Sequence, residues 1–158
     1  MVKGLVRSHA AFRALIGSFI GAGSSRNVYA HSGSADHVIK VSMKPPHTSN
    51  RTEWFIWNEI ENEPKVAATL GRCEAFSTSG RFLIMERLDD LTTPEERALR
   101  RYPNWTTDLK ANAFGVNSKG EVKVRDYGMV TLGQTLASAA IYDLPADEQM
   151  DKWLKLFD

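Results

Sequence analysis

Apolar residues recur every three or four positions at Phe12, Leu15, Ile16 and Phe19, with Ser8 standing where a helix cap belongs. That spacing predicts a short amphipathic helix over residues 8–19. After a glycine-rich turn the period falls to two. Residues 27–31 and 37–43 read as strands joined by Ser32-Gly33-Ser34-Ala35-Asp36, a hairpin. Pro45 and Pro46 make 44–48 a loop. A helix over 50–62 follows, and Pro64 opens a second, short one through residue 70. Trp54, Phe55, Ile56, Trp57 and Ile60 give the first of these helices an apolar face too broad for solvent, so it is expected to pack on a sheet. These aromatic residues read as core before they read as a docking anchor for a partner.

Two more hairpins are expected, 72–77 with 81–87 and 113–117 with 121–124, the latter around Ser118-Lys119-Gly120. Between them lie an extended connector over 88–93 and a helix over 94–101 capped by Thr93. Residues 136–142 read as helical. Residues 145–157 read as a helix with Asp147 and Glu148 in its first turn and Met150, Trp153, Leu154 and Phe157 on one face. That face is a better interface candidate than the Trp54, Phe55 and Trp57 cluster, but packing on its own domain is the preferred reading. The class is α+β, built from antiparallel hairpins and a few helices.

Composition narrows the function. A chain of 158 residues reads as a single domain, residues 1–158, with 42% hydrophobic and 25% charged residues. A net charge of +1 gives no electrostatic case for nucleic acid or an anionic membrane as partner. Arg97, Arg100 and Arg101 cluster, but Glu95 and Glu96 offset them, so the segment reads as a solvated helix face. The single cysteine, Cys73, reads as a small buried hydrophobe. His9 and Arg13 break up the apolar segment a signal peptide would need, and no run reaches the ~20 apolar residues of a membrane span. A cytoplasmic location is therefore expected.

The candidate chemistry begins at Gly21-Ala22-Gly23-Ser24-Ser25-Arg26-Asn27-Val28-Tyr29, followed by Val38-Ile39-Lys40-Val41. Glycines let a backbone approach an anion closely, and a lysine in the next strand supplies a positive charge beside it. The plainer reading is a small-residue hairpin and a lysine that snorkels to the surface. Asp126-Tyr127-Gly128, after another pair of strands, shifts the balance toward phosphate chemistry.

The order of these motifs resembles the protein-kinase-like fold, with an antiparallel-sheet N-lobe and a strongly reduced helical C-lobe. Gly21, Gly23 and Ser24 lie in what looks like the phosphate-covering loop. Lys40 matches the phosphate-binding lysine, and Leu83-Ile84-Met85-Glu86-Arg87-Leu88 resembles the hinge that pairs with adenine. Asp108-Leu109-Lys110 is similar to the start of the catalytic loop, and Asp126-Tyr127-Gly128 to the metal-binding Asp-Phe-Gly. Arg26, Asn50-Arg51-Thr52-Glu53-Trp54 and Phe114-Gly115-Val116 bring the likeness nearest to compact kinase-like proteins of tailed bacteriophages, over about residues 20–130. The resemblance implies ATP and Mg2+ as cofactors. Lys40 would hold phosphates, fixed by Glu53, Glu59 or Glu61, of which the pattern favours Glu53. Asp126 would bind the metal, and Asp108 would accept the proton of the attacking hydroxyl.

Three departures weaken the catalytic half. The position five beyond Asp108, an asparagine in the family, is Ala113, and Asn112 stands one place early. Thr106-Thr107 precedes Asp108 in place of the family's His-Arg or His-Gly pair. The segments around the catalytic loop are short. Because phosphoryl transfer depends on positioning and charge stabilisation, such losses cost activity before they cost binding. The preferred expectation is a degenerate kinase-like protein that binds and inhibits or redirects a host protein, with or without nucleotide. An active Mg-ATP-dependent kinase is the alternative, and a virion assembly protein ranks third.

Overall fold

In the computed structural model, residues 5–128 and 136–144 are described. Strands β1 (Leu5–Arg7), β2 (Ile16–Ala22), β3 (Arg26–His31), β4 (Ser34–Ser42), β5 (Cys73–Ser77) and β6 (Phe82–Glu86) form one sheet in the order β1-β5-β6-β4-β3-β2. Five of them pair antiparallel, and β1 lies parallel on β5 at the edge. Helix α1 (His9–Arg13) joins β1 to β2; α2 (Thr48–Ile60) and α3 (Pro64–Ala67) join β4 to β5. Helix α4 (Pro94–Ala98) follows, then β7 (Arg101–Pro103), β8 (Phe114–Val116), β9 (Val122–Val124) and β10 (Ile141–Asp143). Strands β8 and β9 form a hairpin, and β7 pairs antiparallel with β10. The class is α+β.

The period of two along β4 and β6 divides two cores. Val38, Leu83 and Met85 face α2 with Ile56, Trp57 and Ile60, while Ile39, Phe82 and Ile84 face α1 around Phe12. Helix α2 buries Asn50, Glu53, Ile56, Trp57 and Ile60, a stripe at helical spacing that is polar at its first turns and apolar beyond. Each of its three buried apolar side chains contributes roughly 1.5–3 kcal/mol, so apolar packing holds the helix while its polar end meets the site. Trp54 stacks on Phe76 at 5.4 Å, and Phe55 points outward, 59% exposed. Cys73 is buried.

Several expectations are corrected. Ser8 does cap a helix, accepting from the Ala11 N–H at 3.4 Å, but that helix ends at Arg13 and residues 16–22 are a strand. The reason is tertiary. Gly17 lies so close to β3 that a Cβ there would meet the Ala30 carbonyl oxygen at 2.8 Å, and pairing with β3 overrides the helical spacing. Residues 136–142 are not helical; they form a turn leading into β10. Helix α4 stops at Ala98 despite a full capping box at Thr93 and Glu96, and Arg101 begins β7. Arg100 is buried, its guanidinium 6.0 Å over the Phe114 ring, so that cluster is not simply a solvated face. The helix expected over 145–157 lies outside the described residues.

No helix of the described residues is long and apolar enough to cross a membrane.

Candidate functional site

Four chain segments converge behind the turn between β2 and β3. Strand β3 supplies Arg26, β4 supplies Lys40, and the polar first turns of α2 supply Asn50 and Glu53. The fourth contributor is the segment after β9, carrying Arg125, Asp126 and Tyr127. Glu53 is fully buried and is the hub. Arg26 donates to both of its oxygens, Nη1 to Oε2 at 2.5 Å and Nη2 to Oε1 at 3.0 Å. Lys40 Nζ lies 3.1 Å from each oxygen and donates to the Arg125 carbonyl at 2.5 Å. The Tyr127 backbone N–H adds a bond to Oε1 at 3.1 Å. A buried carboxylate survives only when so many donors replace its water.

Of the three acids weighed as partner for Lys40, Glu53 is the one that meets it. Its neighbour Asn50 is a structural pin: its side-chain amide donates to the carbonyls of Lys40, Gly80 and Arg81 at 2.9–3.2 Å, and its Oδ1 accepts from Arg26 at 3.2 Å. Arg26 then reaches forward, Nη2 donating to Asp126 Oδ1 at 2.7 Å. Tyr127 anchors this segment from below, its hydroxyl donating to the Gly71 carbonyl at 2.7 Å.

The charges follow from this geometry. Burial would drive the Glu53 carboxyl up, but Arg26 and then Lys40 outweigh it and hold the carboxyl down at about 2. Burial pulls the Lys40 ammonium below its ordinary range, opposed by Glu53 and reinforced by Arg26. For Arg26 the burial cost is more than offset by Glu53, and its charge is permanent.

In front of the hub opens a cleft of about 370 Å³. Ile20, Val28, Val38, Met85 and Leu88 supply apolar lining, and Arg26 and Lys40 lie along the same cleft. Gly21 and Gly23 line the mouth. A Cβ at Gly21 would meet nothing within 4 Å, so the turn leaves open space there. Glu86, Asn112 and Asp126 also line the cleft.

Ser24 and Asp108 do not. Ser24 sits exposed on the turn, and the Asp108 carboxylate accepts the Lys110 N–H at 3.2 Å. Asn112 is exposed, and its carbonyl accepts from Arg125 Nε at 2.8 Å. Ala113, where the family's asparagine would stand, is buried in the core. The Glu86 carboxylate is held by Lys123 at 3.1 Å and Asn117 Nδ2 at 2.8 Å.

Apolar lining with two fixed cations suits an aromatic base carrying phosphates: Lys40 and Arg26 are the residues that would meet the phosphates, and Val28, Val38 and Leu88 the base. Among the described residues no three His, Cys, Asp or Glu side chains gather into an all-protein metal cage, and the one carboxylate beside the hub, Asp126, is already engaged by Arg26.

Arg26 and Arg125 are the site residues that local sequence pattern did not single out by role. An arginine directly after the glycines, with Asn50 and Glu53 three apart on one helix face, is the signal that pointed there. No protein-family model matches this chain, and no curated protein matches it in sequence.

Proposed function

We propose that this chain is a nucleotide-binding, kinase-like protein that acts by binding another protein and does not transfer phosphate. The observation that carries the reading is the Arg26–Glu53–Lys40 hub, which presents two immobilised cations along a cleft of mixed apolar and charged lining beside a glycine turn. The order of motifs along the chain, which resembles the kinase-like proteins of tailed bacteriophages, supports it and makes a host protein the class of partner. Asp108 outside the cleft lining argues against phosphoryl transfer, because that chemistry needs its proton acceptor at the reacting group, and of the two positions weighed for a second metal ligand Ala113 is in the core while Asn112 lines the cleft.

The test has two measurements. Wild type and Lys40→Met are titrated with a fluorescent ADP analogue, and each is assayed for phosphate release and transfer from ATP. Wild type is expected to bind, with Lys40→Met weaker by about tenfold or more, equivalent to about 1.4 kcal/mol. Neither protein is expected to turn over ATP. Lys40-dependent turnover would convert the reading to an active kinase. Absence of binding by wild type would remove nucleotide from the reading altogether.

A further inference from the structure

Every carboxylate that lines the cleft already faces a protein cation. Asp126 is paired with Arg26 at 2.7 Å, Asp90 with Arg125 at 2.6 Å, Asp89 with Arg87 at 2.9 Å, and Glu86 with Lys123 at 3.1 Å. Asp89 and Asp90 are well exposed, and ion pairs of that kind yield readily to a competing ion. The pair at Asp126 is different because its cation is anchored from behind.

The Arg26 side chain is only 8% exposed, and Glu53 grips it through two hydrogen bonds while Asn50 holds it through a third. If the guanidinium swung away, Glu53 would stay buried with part of its charge unmatched, which is a strongly unfavourable state. The second nitrogen therefore stays on Asp126. A divalent ion placed on that carboxylate, which is 51% exposed, would sit against a positive charge that is held in place from behind.

We infer that Arg26 is the resident counter-cation of this site, and that the cleft takes a nucleoside di- or triphosphate as the metal-free anion. The inference rests on the nucleotide-binding reading and sharpens its ligand class. Lys40 supplies a compact positive charge beside the phosphates, and Arg26, its Nη hydrogens engaged by Glu53, Asn50 and Asp126, supplies a second, fixed one.

The experiment uses the full chain and the same fluorescent ADP analogue, titrated in excess EDTA and in excess Mg2+, for wild type and Asp126→Asn. The asparagine keeps a side-chain oxygen to accept from Arg26 but is a poor ligand for a hard cation. Both proteins are expected to bind more tightly in EDTA than in excess Mg2+, because the metal draws the analogue into its complex and depletes the free anion. Binding lost in EDTA and restored by Mg2+ in wild type, with the restoration absent in Asp126→Asn, would overturn the inference and leave nucleotide binding intact. No binding by wild type in either medium would overturn the nucleotide reading itself and the inference with it.

Discussion

Arg26 and Asp126 lie one hundred residues apart in the chain and meet in a hydrogen-bonded ion pair of 2.7 Å. This contact ties the strand after the glycine turn to the segment that leaves the β8–β9 hairpin. Glu53 holds the same arginine from the opposite side. The site is thus one continuous charge network, carboxylate–guanidinium–carboxylate with Lys40 beside it, and the consequences of cutting it differ by position.

Glu53→Gln should be the most damaging single change in the network. It leaves Arg26 and Lys40 buried side by side with their shared anion gone, and an uncompensated buried charge typically costs about 3–5 kcal/mol. Lys40→Met should cost less, because Glu53 keeps both Arg26 bonds and the Tyr127 N–H. Urea unfolding of the two variants checks the order. Equal losses, or a larger loss in Lys40→Met, would contradict the hub role given to Glu53.

Acid should weaken the fold through the same carboxylate. Its folded-state value of about 2 lies below the ordinary 4.5, so the unfolded chain takes up the proton first as pH falls. The stability it contributes is fully present above 4.5 and is lost as pH drops toward 2, on the order of 3 kcal/mol in all. The urea midpoint measured from pH 7 downward should fall most steeply in that window. A midpoint flat between those limits would mean that the carboxylate is not held as the geometry indicates.

How far the sequence reveals this site is clear from individual residues. Lys40 shares a strand face with Val38 and Ser42 and is flanked by Ile39 and Val41, and Asn50 and Glu53 share a helix face with Ile56 and Trp57. Local periods place these groups, and the glycine turn, within a residue or two. What local pattern does not contain is partnership over long separations. Phe12, Leu15, Ile16 and Phe19 satisfy a helical period, yet β3 claims the second half of that segment as a strand. Strand β7 has three residues and finds β10 about forty positions later, so neither is distinctive alone. Arg26 marks the resemblance in the sequence, but its role is legible only when Glu53 and Asp126 are brought to it.

Two glycines should behave in opposite ways. A Cβ at Gly115 would meet Leu88 Cβ at 2.7 Å and the Asp89 carbonyl oxygen at 2.8 Å, with backbone that cannot rotate aside. Gly115→Ala is therefore expected to destabilise by about 1–3 kcal/mol and, by pushing the Leu88–Asp89 connector, to weaken nucleotide binding as well. Gly21→Ala meets open space, so its stability should stay within about 0.5 kcal/mol of wild type. If the turn comes close to bound phosphates, the added methyl should reduce affinity without any change in melting temperature. Calorimetry of both variants, with and without the ADP analogue, separates the two effects.

Cys73 reports on the integrity of the whole site. It is the chain's one cysteine, buried beneath Glu53 with its sulfur 3.2 Å from the Tyr127 hydroxyl. Burial, with the Glu53 charge adding to it, pushes the thiol from 9.0 up to about 12. Since the thiolate is the reactive form, that shift alone lowers reactivity by about a thousandfold at neutral pH, before steric protection is counted. A disulfide exchange reagent at pH 8 should leave the native protein unlabelled and modify one thiol per chain after urea is added. Prompt labelling of the native protein would show that the segment carrying Tyr127 does not close over Cys73. Labelling that tracks the urea transition would place the thiol inside the same cooperative unit as Glu53, because both lose their cover when that segment comes away.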